Sequence, residues 1–187
     1  YIYIYIMRSS YKNKLDFSNI FETIIFLQNP KKIIEFGILD GFSLKCFASN
    51  VSEDCILEAY DLFEDFNGNH SNYSKVKELF KNYNNVNIQK GDFYKLYDKI
   101  ENNSIDIIHI DIANTGYTYE FSFTNYINKL TKDGIMILEG GSEERDNVGW
   151  MIKYNKLKIR NVIEKYNNIY NIYTLPNFPS LTIVKKK

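Results

Sequence analysis

The chain has 187 residues, 44% of them hydrophobic and 25% charged, enough for one globular domain that buries roughly two thirds of its unfolded surface and too few for a second full one. Lys plus Arg and Asp plus Glu both number 23, so the formal net charge is zero, which removes any overall pull toward nucleic acid or an anionic membrane surface. No apolar run approaches the roughly 20 residues that span a bilayer, and no basic, apolar and small-residue leader pattern is present, so a soluble, cytoplasmic protein is expected. Cys46 and Cys55 are too few for a disulfide framework and lack the paired spacing of a zinc site; they read as reduced core thiols.

Tyr1–Ile6 alternate strictly as Tyr and Ile before Met7. A period of two predicts a strand, but an uncharged aromatic and β-branched terminus is a hazardous exposed edge. The segment is therefore read as an upstream remnant, with Met7 as the natural start and a true edge strand as the alternative. Residues 1–17 are taken as an N-terminal extension and 18–187 as a single domain. From Ser18, a candidate cap, a helical pattern carries Ile20, Ile24, Ile25 and Leu27, and Asn29 with Pro30 ends it.

Beyond this point short β-rich runs alternate with helical stretches. The strands are predicted at 32–36, 55–62, 86–89, 105–111 and 135–139, and helices at 43–50, 71–83 and 119–130. Ile107, Ile108 and Ile110 are nearly continuous in hydrophobicity, as a strand covered on both faces requires. Such alternation predicts an α/β fold with a doubly wound, parallel sheet. Residues 171–174 and 180–184, joined by a loop containing Pro176 and Pro179, read as an antiparallel hairpin closing one edge.

The sharpest local signal is IIEFGILDGFSLKCFA, where a buried strand ends near Glu35 and Phe36 and a helix begins near Ser43. Gly37 and Gly41 between them permit positive φ and close approach of a ligand, and the helix start offers amide donors to anionic groups. Acids then fall at successive strand ends: Asp61, Asp92, Asp111 and Glu139. Asp61 stands about 20 residues after the glycine turn, the spacing at which a carboxylate accepts bonds from ribose hydroxyls. One such acid is an ordinary cap or loop residue; four in register with a glycine turn point to a ligand site at the carboxyl edge of the sheet.

With these residues in view the chain resembles the class I S-adenosylmethionine (SAM)-dependent methyltransferases, and within them the small-molecule O-methyltransferase-like branch. The resemblance rests on Glu35-x-Gly37-x-x-x-Gly41-x-Ser43, the Asp61 strand end, Gly91-Asp92, and the run Asp106 to Asp111 followed by Asp133-Gly134. It implies a Rossmann-like, mostly parallel seven-stranded sheet ending in the antiparallel hairpin. It further implies that Glu35, Gly37 and Gly41 surround the methionine part of the cofactor, with Ser43 opening the next helix. Asp61 would hold the ribose, Leu62 and Phe93 would flank the adenine, and Asp92 would accept from its amino group. Asp111 would lie where the methionine amine, the methyl sulfonium and the substrate converge.

Two positions depart from the pattern of related enzymes. Asn114 stands where a histidine base is common, and Glu139-Gly140 replaces the Asp-Asn dyad of metal-dependent relatives. Asp111, Glu139 and Asn114 are nevertheless the catalytic candidates. If Mg²⁺ binds, Asp111 and Glu139 are its expected ligands, but the oxygen set is incomplete and no metal is the leading expectation. The loop GGSEERDNVGW brings polar residues to the same rim and reads either as a charged surface helix start with a core Trp or as an acceptor-binding wall, in which Arg145 is a candidate partner for an acidic acceptor group, and Trp150 or Tyr117 for stacking on a ring. His109, two residues before Asp111 and roughly 6–7 Å further into the sheet, reads as a core histidine. His70 reads as a solvent-facing loop residue.

The leading expectation is methyl transfer from SAM to a small polar acceptor, most readily at a hydroxyl oxygen, with no nucleic-acid or membrane partner. No Arg-rich element and no Asn-Pro-Pro-Tyr-like motif is present. The alternatives are a non-catalytic SAM-binding module, favoured by Asn114 and Gly140, and a nucleotide-dependent oxidoreductase, disfavoured because the turn lacks Gly-x-Gly-x-x-Gly.

Overall fold

The structure, a computed structural model, describes residues 7–176 and 178–187. The reading of Tyr1–Ile6 therefore lies outside the described residues. The chain divides into two units, residues 1–96 and 97–187.

In the first unit, helix α1 (Lys14–Gln28) begins a turn earlier than Ser18. The reason is its buried stripe, Phe17, Phe21, Ile24 and Ile25, which repeats at helical spacing only if Phe17 is included. Leu27, expected on that stripe, faces solvent. Asn29 takes a left-handed φ of 43° and donates its amide to the Ile25 carbonyl at 2.9 Å, a helix stop that Pro30 then enforces. The stripe meets helix α2 (Phe42–Asn50) through a knot of rings. Tyr11 stands 4.6 Å from Phe17, and Phe21 packs edge-on to Phe47 at 5.1 Å between centroids.

Strands β1 (Lys32–Phe36), β2 (Ile56–Asp61) and β3 (Val86–Lys90) run parallel, with Phe36 opposite Tyr60 and Asp61 opposite Lys90. Helix α3 (Tyr73–Leu79) is shorter than expected, opened by the Asn72 side chain accepting from the Lys75 amide at 2.9 Å. A short helix, α4 (Phe93–Leu96), follows β3.

In the second unit, β4 (Ile105–Ile110) pairs in parallel with β5 (Leu130–Glu139), and β7 (Leu181–Lys186) pairs antiparallel with both β5 and β6 (Tyr170–Leu175). β5 starts five residues before the expected Ile135 because the register against β4 shifts between Ile105 and Ile107. Gly134 makes the shift sterically feasible: a Cβ there would stand 2.8 Å from the Ile105 carbonyl oxygen. Helix α5 (Gly116–Phe121) starts before the expected Tyr119 and passes into a wider π turn at 122–126. Three further helices are α6 (Glu143–Asp146), α7 (Gly149–Lys153) and α8 (Ile159–Tyr166).

Among the described residues seven strands form a mixed, mostly parallel sheet in the order β3-β2-β1-β4-β5-β7-β6, the doubly wound, Rossmann-like arrangement expected. β4 is buried along its apolar residues, with Ile107, Ile108, His109 and Ile110 wholly covered. No helix among the described residues is long and apolar enough to cross a membrane.

Candidate functional site

The candidate residues fall into two groups, one in each unit. In the first, the five residues after β1 reverse the chain into α2. Gly37, Leu39 and Gly41 have φ of 87°, 51° and 83°, all left-handed, a region cheap for glycine and costly for leucine. At Gly41 a Cβ would also stand 2.7 Å from Phe80 Cε2.

The loop is held in this shape by Asp61, which is only 8% exposed. Its Oδ2 accepts from the Ile38 amide at 2.7 Å and the Leu39 amide at 3.4 Å, and its Oδ1 accepts from the Phe63 amide at 2.8 Å and Asn69 Nδ2 at 2.6 Å. One carboxylate thus binds the loop after its own strand to the loop after β1. Asn69 Oδ1 accepts from the Ser71 amide at 3.0 Å, and Ser71 Oγ donates to the Leu39 carbonyl. Arg8 completes the lacing: its amide and Nε donate to Asp40 Oδ2 at 2.7 and 3.0 Å, and its Nη2 donates to Asp40 Oδ1 at 2.6 Å and the His70 carbonyl at 2.9 Å. That pairing holds the Asp40 carboxyl below its ordinary pKa. His70 itself is exposed.

Glu35 is fully buried and accepts from Ser43 Oγ, so strand and helix on either side of the turn are joined by side chains. Cys46 on the same helix is buried, which pushes its thiol pKa up to about 11; neither Cys46 nor Cys55 forms a disulfide. Leu62 is half-buried at the start of the second loop. Asp92 follows Gly91, whose amide donates to the Asp61 carbonyl at 3.0 Å, and its Oδ1 accepts from the Tyr94 amide at 3.0 Å, capping α4. Phe93 is buried, edge-on to Phe36 at 5.2 Å.

In the second unit, Asp111 is half-buried just past the end of β4. Asn114 is fully buried, and its Nδ2 donates to the Ile110 carbonyl at 2.9 Å and the Glu139 carbonyl at 2.8 Å, tying the ends of β4 and β5 together. Glu139 is buried beneath a two-pronged ion pair: Arg145 Nε donates to Oε1 at 2.6 Å and Nη2 to Oε2 at 3.0 Å. Burial keeps the Glu139 pKa above the ordinary carboxylate value although the guanidinium pulls it down. Tyr119 Oη donates to the Glu139 carbonyl at 3.2 Å, and its own burial raises its pKa well above the usual tyrosine value.

The turn after β5 brings Arg145 back onto Glu139. Gly140 and Gly141 take φ of 105° and 110°, and a Cβ on Gly141 would stand 2.1 Å from Thr182 Oγ1. The turn is therefore tight and pinned, with the Gly140 amide donating to the Ser180 carbonyl at 2.7 Å and Thr182 Oγ1 donating to the Gly140 carbonyl at 2.8 Å. Ser142 caps α6 by accepting from the Arg145 amide at 3.2 Å. Arg145, expected to meet an acidic acceptor, instead has Glu139 as its partner, and its Cζ lies 5.2 Å from the ring centroid of half-buried Trp150. Tyr117 is 64% exposed on α5.

Among the described residues no group of three or more His, Cys, Asp and Glu could hold a metal ion. With both oxygens of Glu139 taken by Arg145, the expected Asp111 and Glu139 ligand pair does not fit a divalent cation in this arrangement.

Sequence reasoning missed Arg8, Asn69 and Ser71, and read Asp146 only as part of the polar loop after β5. Asp146 accepts from the Ile159 and Arg160 amides at 2.7 and 3.0 Å and so caps α8 from the end of α6. Asn69 beside Gly68 carried a turn signal; Arg8 and Asp146 carried none, because their partners lie 32 and 13 residues away.

The methyltransferase domain family model matches residues 34–139 of the chain. A search of curated protein sequences gives no match. Solved structures match in fold. The O-methyltransferase from Bacillus cereus in complex with S-adenosylhomocysteine (SAH) aligns at TM-score 0.69 and 14% identity, covering 96% of this chain and 84% of that one. TomG from Streptomyces achromogenes, an O-methyltransferase involved in tomaymycin synthesis and in complex with SAM, aligns at TM-score 0.70 and 12% identity over 92% of this chain and 80% of its own. A methyltransferase from Geobacter sulfurreducens aligns at 0.67 and 13% over 91% and 78%.

Proposed function

We propose that this chain, which belongs to the methyltransferase domain family, binds SAM at the loop between β1 and α2 and methylates a small polar acceptor at a hydroxyl oxygen. The observation that carries the reading is the Asp61 knot: a left-handed Gly37–Gly41 turn held by the one strand-end carboxylate spaced for a ribose. The bound forms named for the Bacillus cereus and TomG structures support the same cofactor. We read the described chain from Met7 onward as one such domain, acting in the cytoplasm without nucleic acid or membrane.

SAM supplies a methyl group on a positively charged sulfur. The chain's task is to hold the partners in line and take a proton. Glu35, Gly37, Gly41 and Ser43 are assigned to the methionine portion, Leu62, Asp92 and Phe93 to the adenine, and Asp61 to the ribose. The fit at Asp61 requires exchange, since a carboxylate offers about four acceptor positions and four protein donors already use them. The Leu39 amide, at 3.4 Å, and Asn69, beside the unobstructed Gly68, are the donors that yield at least cost. Asp111, half-buried at a strand end, is assigned to accept the acceptor's hydroxyl proton at its carboxylate. Asn114 and Glu139 act by keeping the two strand ends together. Tyr117 and Trp150 are assigned to the acceptor ring.

The internal bonding of Asn114 and Glu139 also favours a second reading, a SAM-binding module without transfer. Thermal unfolding with SAM, SAH and NAD tests the first step: a ligand at 100 times its Kd adds about 2.7 kcal/mol, and a shift with the adenosyl compounds but not NAD is expected. No shift with either adenosyl compound overturns the assignment. SAH released in the presence of an acceptor panel separates enzyme from binding module.

A further inference from the structure

We propose that the guanidinium of Arg145 is a resident cation that fills the oxygen-lined pocket at the end of β5, leaving this part of the site independent of a divalent metal. Three oxygens converge on it: Glu139 Oε1 at 2.6 Å, Glu139 Oε2 at 3.0 Å and the Asn114 carbonyl at 3.2 Å. A carboxylate and a backbone carbonyl are hard oxygen donors of the kind that bind divalent cations. Here a tethered monovalent cation satisfies them instead. Among the described residues, Asn114 Oδ1 and Arg145 Nη1 are buried without a hydrogen-bond partner.

The guanidinium is built in rather than loosely docked. Arg145 is 6% exposed. Its backbone is fixed by the Ser142 cap, whose own amide donates to Ser180 Oγ at 2.9 Å, and Trp150 covers the guanidinium at 5.2 Å. Its planar fork matches the carboxylate in two parallel bonds, a geometry that lysine's point charge does not reproduce. A divalent ion would have to expel this buried positive charge or share the carboxylate with it, and either is strongly unfavourable.

The role follows from the geometry: Arg145 is a positioning residue. It pairs both Glu139 oxygens in the core and grips the Asn114 carbonyl, while Asn114 bridges the β4 and β5 ends that precede Asp111 and Gly140. The inference rests on the proposed methyl transfer for its meaning in the reaction, but the cation pocket is testable without it.

The test is titration of Mn²⁺ alone, by calorimetry, into the full chain and into Arg145→Met, Arg145→Lys, Glu139→Gln and the Glu139→Gln/Arg145→Met double variant, with circular dichroism on each. Wild type is expected to show no Mn²⁺ uptake that depends on Glu139. Removing the guanidinium is expected to raise Mn²⁺ affinity by roughly 10²-fold, and the double variant to lose that gain. Arg145→Lys, which keeps the charge, is expected to stay near wild type. Wild-type Mn²⁺ binding abolished by Glu139→Gln would overturn the proposal, as would a folded Arg145→Met chain with no gain. Should Arg145→Met fail to fold, the wild-type, Glu139→Gln and Arg145→Lys titrations decide: Mn²⁺ binding by folded Arg145→Lys at more than tenfold wild-type affinity refutes neutralisation by the resident charge, and its absence supports it. SAH-induced thermal stabilisation of wild type, measured alongside, reports separately on the cofactor reading: its absence removes that reading and leaves the Mn²⁺ result standing.

Discussion

Replacing Asp61 with Ala removes the acceptor of two short, buried amide bonds, Ile38 N at 2.7 Å and Phe63 N at 2.8 Å. The Leu39 contact is long at 3.4 Å, and the Asn69 amide sits in a loop where water can replace the lost oxygen. The cost is therefore set by two buried donors left unsatisfied, at about 1–3 kcal/mol each, giving a loss of roughly 4 kcal/mol in unfolding free energy. For a chain of this length that corresponds to a Tm lower by about 10 °C. Urea unfolding followed by circular dichroism measures it directly. Asp61→Asn retains one oxygen and is expected to lose about half as much. An Asp61→Ala protein within about 0.5 kcal/mol of wild type would refute the idea that this carboxylate holds the glycine loop. The same titrations repeated with SAH separate the two roles of Asp61, because a loop anchor alone lowers stability equally with and without ligand, whereas a ribose contact also removes the ligand-induced gain.

Two further perturbations test the loop from other sides. Gly41→Ala combines a left-handed φ of 83° with a Cβ 2.7 Å from Phe80 and is expected to cost about 2–4 kcal/mol, whereas Gly68→Ala, with φ of 99° and nothing within 4 Å, is expected to cost about 1–2 kcal/mol; equal losses in thermal unfolding would show that Phe80 yields freely. The Arg8 and Asp40 pair makes a pH prediction. Arg8 depresses the Asp40 pKa from its ordinary 3.8, so the pair's contribution is present above that value and lost as pH falls through the folded-state pKa. Arg8→Ala is expected to be less stable than wild type by at most about 1 kcal/mol near neutrality, because the pair is largely solvated, with the gap narrowing in acid toward what the His70 carbonyl bond alone contributes. A gap that does not narrow as pH falls through the folded-state Asp40 pKa would exclude the ion pair as its source.

The order of elements and the strand-end and turn positions of the candidate residues were legible in the residues themselves. β1 was read at 32–36 and is found at Lys32–Phe36, and the Gly37–Gly41 turn carries the positive φ its glycines allowed. Asp61 stands at a strand end, and Asp111 and Glu139 at or just past one, as the alternation of apolar runs indicated. These features depend on local periodicity and turn chemistry, which neighbours in the chain determine. The partners of the same acids were not legible. Asp61 bonds amides 22 and 23 residues away, Glu139 is paired with Arg145 only because Gly140, Gly141 and Ser142 fold the chain back against Ser180 and Thr182, and Arg8 reaches Asp40 across 32 residues. The start of α1 at Lys14 and of β5 at Leu130 likewise depends on packing against distant residues. A sequence therefore specifies where a carboxylate will stand, because the pleat and the turn are local; which donor or cation it will hold is a property of the tertiary structure, because hydrogen-bond and ion-pair energies fall off within ångströms and depend on segments that only folding brings together.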